Sequence, residues 1–162
     1  MSNLLPPTPR RLLGKSGIEV SALAWGHWRL SAADPALNTR LVHAALDAGI
    51  DFFDTADIYG FDGSQGFGAA EEAFGRLLAA QPDMRARLVI ASKGGIDPGV
   101  PYNSSEGYLT RAIDASLRRL SIDTIDLFYQ HRVDPNVSIE ETVVGLAELV
   151  KEGKVRHIGL SE

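Results

Sequence analysis

LVIASKGGIDPGVPYNSSEGYLTRAIDASLRRLSIDTIDLFYQH, residues 88–131, decides the architecture. Leu88–Ser92 is a short apolar run of strand character, and Thr124–Gln130 is another. Between them, Leu109, Ile113, Leu117 and Leu120 fall on one stripe at helical spacing, which predicts a helix ending near Leu120. Residues 96–104 hold Pro98, Gly99 and Pro101 and read as a loop. Strand, helix, strand in close succession predicts two parallel strands covered by the helix. Lys93 stands just past the first strand and His131 just past the second. Parallel pairing puts both at the same rim.

The same rhythm extends in both directions. Ile50–Thr55 reads as a strand with Asp54 at its end and Tyr59 in the turn beyond. A glycine-rich loop, 60–68, leads into a helix over Ala69–Ala80 that turns Ala73, Phe74, Leu77 and Leu78 inward. Ser21–Gly26 reads as a buried strand. Ala36–Ala48 reads as a helix with Leu37, Leu41, Ala44, Ala45 and Ala48 inward and Gly49 as its C-terminal cap. Arg10–Leu13 and Ile18–Val20 flank a glycine turn and predict a hairpin, after a proline-rich arm over 1–9. Towards the C-terminus, Ser138 and Glu141 form a capping box. The helix behind them is expected to bury Ile139, Val143, Leu146 and Val150 and to stop at Gly153. Val155–Leu160 reads as the fifth strand. Arg85 and Arg87 are expected to face solvent, and Arg118 and Arg119 to favour a helix C-terminus.

Short apolar strands, each followed by a helix, define an α/β chain with a parallel sheet. Two architectures satisfy that pattern: a doubly wound open sheet and a (β/α) barrel. The open nucleotide-binding sheet wants G-x-G-x-x-G directly after a strand, and the loop GFDGSQGFG after Tyr59 does not have that spacing. Periodicity alone leaves both standing. No composition break divides the 162 residues, which read as one domain.

Composition narrows the chemistry. The net charge is −5, which argues against nucleic acid or an anionic membrane as the main partner. There is no cysteine, so disulfides, cysteine-ligated zinc and thiol catalysis are excluded. No run approaches the roughly 20 apolar residues of a membrane span, and the opening MSNLLPPTPRRLLGKSG lacks a signal-peptide core. A cytoplasmic location is the expectation.

Asp54, Tyr59, Lys93 and His131 form a chemically matched set. A phenol is a sluggish acid, and a nearby ammonium favours its phenolate. Lys93 supplies such a cation, and Asp54 the counter-charge that a lysine beside apolar strands requires. His131 can hydrogen-bond a carbonyl oxygen. The set polarises a C=O for hydride attack without a metal. A metal-dependent hydrolase built from Asp54, Asp57, His131 and Glu162 is a weaker reading, because no H-x-H or H-E-x-x-H spacing occurs.

Five segments resemble the aldo-keto reductase family, in the family's order and across almost the whole chain. RRLLGKSGIEVSALAWG (10–26) resembles its N-terminal hairpin and first strand. FFDTADIYG (52–60) resembles its D-T-A-x-x-Y motif. LVIASK (88–93) and IDLFYQHRVDP (125–135) resemble the strands that end in the active-site lysine and histidine, and GKVRHIGLSE (153–162) the fifth strand. The motifs are nearest to the bacterial and potassium-channel β-subunit branch. The resemblance implies a (β/α)8 barrel and NADPH-dependent reduction of an aldehyde or ketone. It implies Tyr59 as general acid, with Lys93 and Asp54 supporting it and His131 orienting the substrate. It further implies a cofactor-binding group of Gly26, His27, Trp28, Asp54, Ser161 and Glu162, with Trp28 lining the pocket.

A barrel of this kind takes about 250 residues. The four βα units and fifth strand here are therefore expected to be its N-terminal part, inactive alone, with exposed barrel edges open to self-association. A non-catalytic binding or regulatory module is the alternative reading.

Overall fold

The computed structural model describes residues 8–30, 33–63 and 66–161. A two-stranded antiparallel hairpin comes first, β1 (Arg10–Leu12) paired with β2 (Glu19–Ser21). Five parallel strands follow in sequence order: β3 (Ala24–Gly26), β4 (Phe52–Asp54), β5 (Val89–Gly94), β6 (Ile125–Gln130) and β7 (Val155–Leu160). The connections carry α1 (Pro35–Asp47), α2 (Ala69–Ala80), α3 (Glu106–Leu120) and α4 (Ile139–Lys151). A 3-10 segment, Pro82–Arg87, leads into β5. Consecutive strands are neighbours throughout, the order of a barrel wall rather than of a doubly wound sheet. Among the described residues no helix is long and apolar enough to cross a membrane.

The hairpin sits at the N-terminal ends of the parallel strands and is held there by polar contacts. Asp51 accepts from the Ser21 backbone N–H at 2.8 Å and from the Arg10 guanidinium at 2.7 Å, while the Asp51 N–H donates to Ser21 Oγ at 3.1 Å. This clamp splits the strand expected over Ser21–Gly26. Ser21 belongs to the hairpin, and only Ala24–Gly26 joins the sheet. Nor is that strand buried: it forms one edge of the described sheet, with Ala24 and Gly26 exposed and Trp25 half-buried.

Phe53, Ile90 and Phe128 stand on the helix side of β4, β5 and β6 and meet Phe74, Leu109, Ile113 and Leu146. The Phe53 and Phe74 rings stack with centroids 5.8 Å apart. Each such side chain contributes about 1.5–3 kcal/mol by leaving water. The inward row expected for α2 is buried, and that of α3 is buried at Leu109, Ile113 and Leu120, with Leu117 half-buried.

Two helices are rotated from the expected face. In α1 the buried residues are Asn38, Val42 and Ala45, and Leu37 and Leu41 are exposed. An alanine-rich stripe has little apolar area, so the neighbouring Val42 row takes the core. Leu37 and Leu41 instead line an open groove of about 690 Å³ with Trp25, Trp28 and Leu30. In α4 the buried row is Thr142, Gly145, Leu146 and Leu149, while Ile139 and Val143 are exposed. Gly145 explains the rotation. A Cβ there would lie 3.2 Å from Glu106 Cβ, so α4 meets the first turn of α3 along its glycine face.

Arg85 also departs from the sequence reading, whereas Arg119 lies in the last turn of α3 as expected. Arg85 is half-buried, donating to Leu88 O at 2.9 Å and to Asp126 Oδ2 at 2.8 Å. Arg119 binds Glu71 at 2.7 Å beneath the crossing of α2 and α3. Both satisfy buried carboxylates, Arg119 from its place in the last turn of α3.

Candidate active site

Alternation along the strands decides which side chains reach the barrel interior. Phe53 faces the helices, so Asp54 faces inward; Ser92 faces the helices, so Lys93 faces inward. Lys93 pairs in register with Tyr129, and Asp54 with Ala91. After β4 the chain continues the ladder, with Thr55 N–H donating to Ala91 O at 2.9 Å and Asp57 N–H to Lys93 O at 3.0 Å. The turn then brings Tyr59 back over Lys93.

The result is a compact group. The Lys93 ammonium donates to Asp54 Oδ2 at 2.6 Å, to the Thr55 carbonyl at 2.9 Å and to Tyr59 Oη at 2.9 Å. All three ammonium protons are thus committed. Lys93 is buried, whereas the Asp54 side chain keeps 26% of its surface exposed. The His131 ring meets the Tyr59 ring edge-on at 5.8 Å, and its backbone N–H donates to Gly94 O at 2.8 Å. Trp28, 68% exposed, lies 5.0 Å from the Tyr59 ring and makes an aromatic wall beside the phenol.

His131 is uncharged at neutral pH. Burial pushes its pKa down to about 4, and the nearby charges of Lys93 and Arg132 add to the effect. A neutral imidazole at this place can hydrogen-bond a substrate without competing with Tyr59 as an acid.

Asp54, Tyr59, Lys93 and His131 are therefore brought together, and Gly26 and Trp28 stand beside them on the end of β3. Ser161 follows β7, its backbone N–H donating to Gln130 O at 2.9 Å. Glu162 lies outside the described residues. His27 turns the other way. It is fully buried between Phe53 and Phe74, at ring distances of 5.6 and 4.3 Å, and neither ring nitrogen has a protein partner. Asp57 also points away from the rim, into the buried layer near Glu71 and Arg119. Burial and the Glu71 charge hold its carboxyl well above the usual range. The Thr55 carbonyl is the group that sequence reasoning missed, since a main-chain acceptor leaves no residue-type signal.

His27 makes the fold acid-sensitive. Burial pushes its pKa down to about 3, whereas an unfolded histidine takes up its proton near 6.5. The unfolded state therefore binds the proton first. The stability is fully present above the unfolded value and is lost as pH falls towards the folded one, by about 3 kcal/mol at pH 4. His27→Phe is expected to flatten this acid limb in urea midpoints measured against pH. Parallel acid slopes for the two proteins would contradict it.

A wall of parallel strands in sequence order, with helices outside and a tyrosine–lysine–aspartate–histidine group at its C-terminal rim, has the architecture of part of a TIM barrel. The model of the aldo/keto reductase family matches residues 22–162, and the chain belongs to that family. It is 54% identical to a 6-dehydroglucose reductase of Novosphingobium aromaticivorans over 99% of this chain and 54% of that protein. It is 41% identical to the L-glyceraldehyde 3-phosphate reductase of Escherichia coli K12 over 93% of this chain and 44% of that protein. Among solved structures, the holo form of aldo-keto reductase AKR11C1 from Bacillus halodurans superposes with a TM-score of 0.80 at 32% identity. That match covers 95% of this chain and 50% of the other. The chain thus spans about half the length of the curated relatives it matches.

Proposed function

We propose that these residues form the proton-donating side of an NADPH-dependent reductase that converts an aldehyde or ketone to an alcohol. The observation that carries this reading is the Lys93 ammonium, 2.9 Å from Tyr59 Oη and 2.6 Å from Asp54. Tyr59 donates its phenolic proton to the carbonyl oxygen as negative charge develops there. The phenolate left behind faces Lys93, whose charge is already in place, so little reorganisation is needed during the step. Asp54 and the Thr55 carbonyl hold that ammonium. His131, neutral, donates a hydrogen bond that fixes the carbonyl beside Tyr59.

The residues at the rim suit a nicotinamide. Trp28 offers a flat exposed ring beside the acid, and Ser161 is anchored through its backbone with its hydroxyl left for a ligand. Gly26, Trp28, Asp54 and Ser161 would hold the group, which supplies the hydride when bound. The named relatives act, by their names, on 6-dehydroglucose and on L-glyceraldehyde 3-phosphate. Both are hydroxylated carbonyl compounds, and that substrate class is proposed here.

The test follows consumption of reduced nicotinamide by the protein, with a hydroxylated aldehyde, a simple alkyl aldehyde, or neither. NADPH consumption that depends on a carbonyl and is fastest with the hydroxylated one supports the reading. Consumption at the background rate with every carbonyl would overturn it, and a preference for NADH would overturn the cofactor assignment.

A further inference from the structure

A second buried polar network lies beside the catalytic group and ties three rim segments together. Asp134, only 4% exposed, accepts two backbone hydrogen bonds, one on each carboxylate oxygen. Oδ2 accepts from the Ser104 N–H at 2.8 Å and Oδ1 from the Asn136 N–H at 2.8 Å. Ser104, fully buried in the loop before α3, accepts from Gln130 Nε2 at 2.7 Å through its hydroxyl. Gln130 is the last residue of β6, directly before His131, and its own carbonyl receives the Ser161 N–H at 2.9 Å. Asn103, next to Ser104, donates its N–H to Gly95 O at 2.9 Å, just past Lys93.

These bonds have a common geometric effect. His131 is followed by a segment without regular structure until α4, so its height over Tyr59 is not fixed by the sheet alone. Asp134 fastens that segment to the loop after β5, and Ser104 fastens the same loop back to the residue that precedes His131. Buried charge-assisted bonds to backbone N–H groups are strong and directional. A closed circuit of them holds a side chain more rigidly than any one bond. Ser161 shares the circuit through Gln130.

We propose that Asp134, acting with Ser104 and Gln130, is a positioning residue that sets His131 over Tyr59 in the carbonyl-binding site. The inference rests on the reductase reading. Asp134 touches no reacting atom; its influence passes through His131.

A double-mutant cycle in the protein tests it, using Asp134→Asn, Ser104→Ala and His131→Ala with kcat and KM measured separately. Asp134→Asn keeps one acceptor oxygen and the volume, and Ser104→Ala removes one hydroxyl, so a folded protein is expected for at least one of them, checked by circular dichroism. Loss of orientation by a fraction of an ångström to an ångström costs about tenfold to a hundredfold in rate. Each variant is expected to lower kcat/KM for the carbonyl in that range in the wild-type background. In the His131→Ala background the same change is expected to cost less than about threefold, because residues that act through one another are not additive. Equal costs in both backgrounds would show a general structural role and overturn the inference alone. A Ser104→Ala or Asp134→Asn protein of wild-type kcat/KM would also overturn it. If His131→Ala itself leaves kcat/KM unchanged, the role of His131 in the reductase reading fails, and this inference with it.

Discussion

Tyr59→Phe is expected to lower kcat for carbonyl reduction by about 100-fold to 10,000-fold, the usual range for removing a positioned general acid. The substitution deletes one oxygen atom. The phenyl ring keeps its edge contact with His131 and its place against Trp28. Lys93 loses one of three acceptors and keeps Asp54 and the Thr55 carbonyl. Tyr59 has no other polar partner in the group, so the fold is expected to survive with a denaturation midpoint close to wild type. Cofactor affinity is expected to stay within a few-fold, since the phenol makes its decisive contact in the transition state. Steady-state kinetics with a direct binding titration separates these effects. A variant that reduces carbonyls at the wild-type rate would remove Tyr59 from the acid role.

The second large effect is at Lys93. Lys93→Met keeps a side chain of similar length and removes the charge. The phenolate formed on proton donation then has no cation 2.9 Å away, and kcat is expected to fall by about 100-fold or more. Stability is expected to respond differently. Removing one partner of a fully buried ion pair costs about 3–5 kcal/mol. Here the Asp54 side chain retains 26% exposure, so water can solvate the carboxylate that is left. The destabilisation is expected to fall below that range. Asp54→Asn provides the contrast. It retains a hydrogen-bond acceptor for the ammonium while removing the counter-charge, so its kcat should fall less than that of Lys93→Met. A Lys93→Met protein with kcat within threefold of wild type would show that the ammonium does not assist the phenol.

The order of strands and helices was legible in the sequence because it depends on local pattern. Each parallel strand is a short apolar run closed by a polar or glycine-rich turn, and β7 falls at the expected Val155–Leu160. The helix faces were legible only where the apolar row was unambiguous. Phe74, Leu77 and Leu78 leave α2 no choice of face, whereas the alanines of α1 and the glycine of α4 do, and tertiary contacts chose. Arg85 was misplaced for a related reason. A cation near an element's end looks solvent-facing until the buried carboxylate that claims it is known, and Asp126 lies 41 residues away in sequence.

At the site, residue type and strand-end position were enough to bring together Asp54, Tyr59, Lys93 and His131. Position alone did not give side-chain direction. His27 and Asp57 sit as close to strand ends as the others, yet turn into the layer between sheet and helices. Alternation explains His27 once β3 and β4 are in register, with Trp25 opposite Phe53 and Gly26 opposite Asp54. The Thr55 carbonyl and the Asp134–Ser104–Gln130 circuit use backbone groups or loop residues, which carry no pattern in sequence.

The most direct measurement is a crystal structure of the protein bound to NADP, the proposed cofactor, and a carbonyl ligand that cannot be reduced. The carbonyl oxygen is expected within hydrogen-bond reach, about 2.6–3.2 Å, of both Tyr59 Oη and a ring nitrogen of His131, with Lys93 still joined to Asp54. A carbonyl seated elsewhere on the rim, with Tyr59 and His131 turned from it, would contradict the assignment of this group as the reducing site.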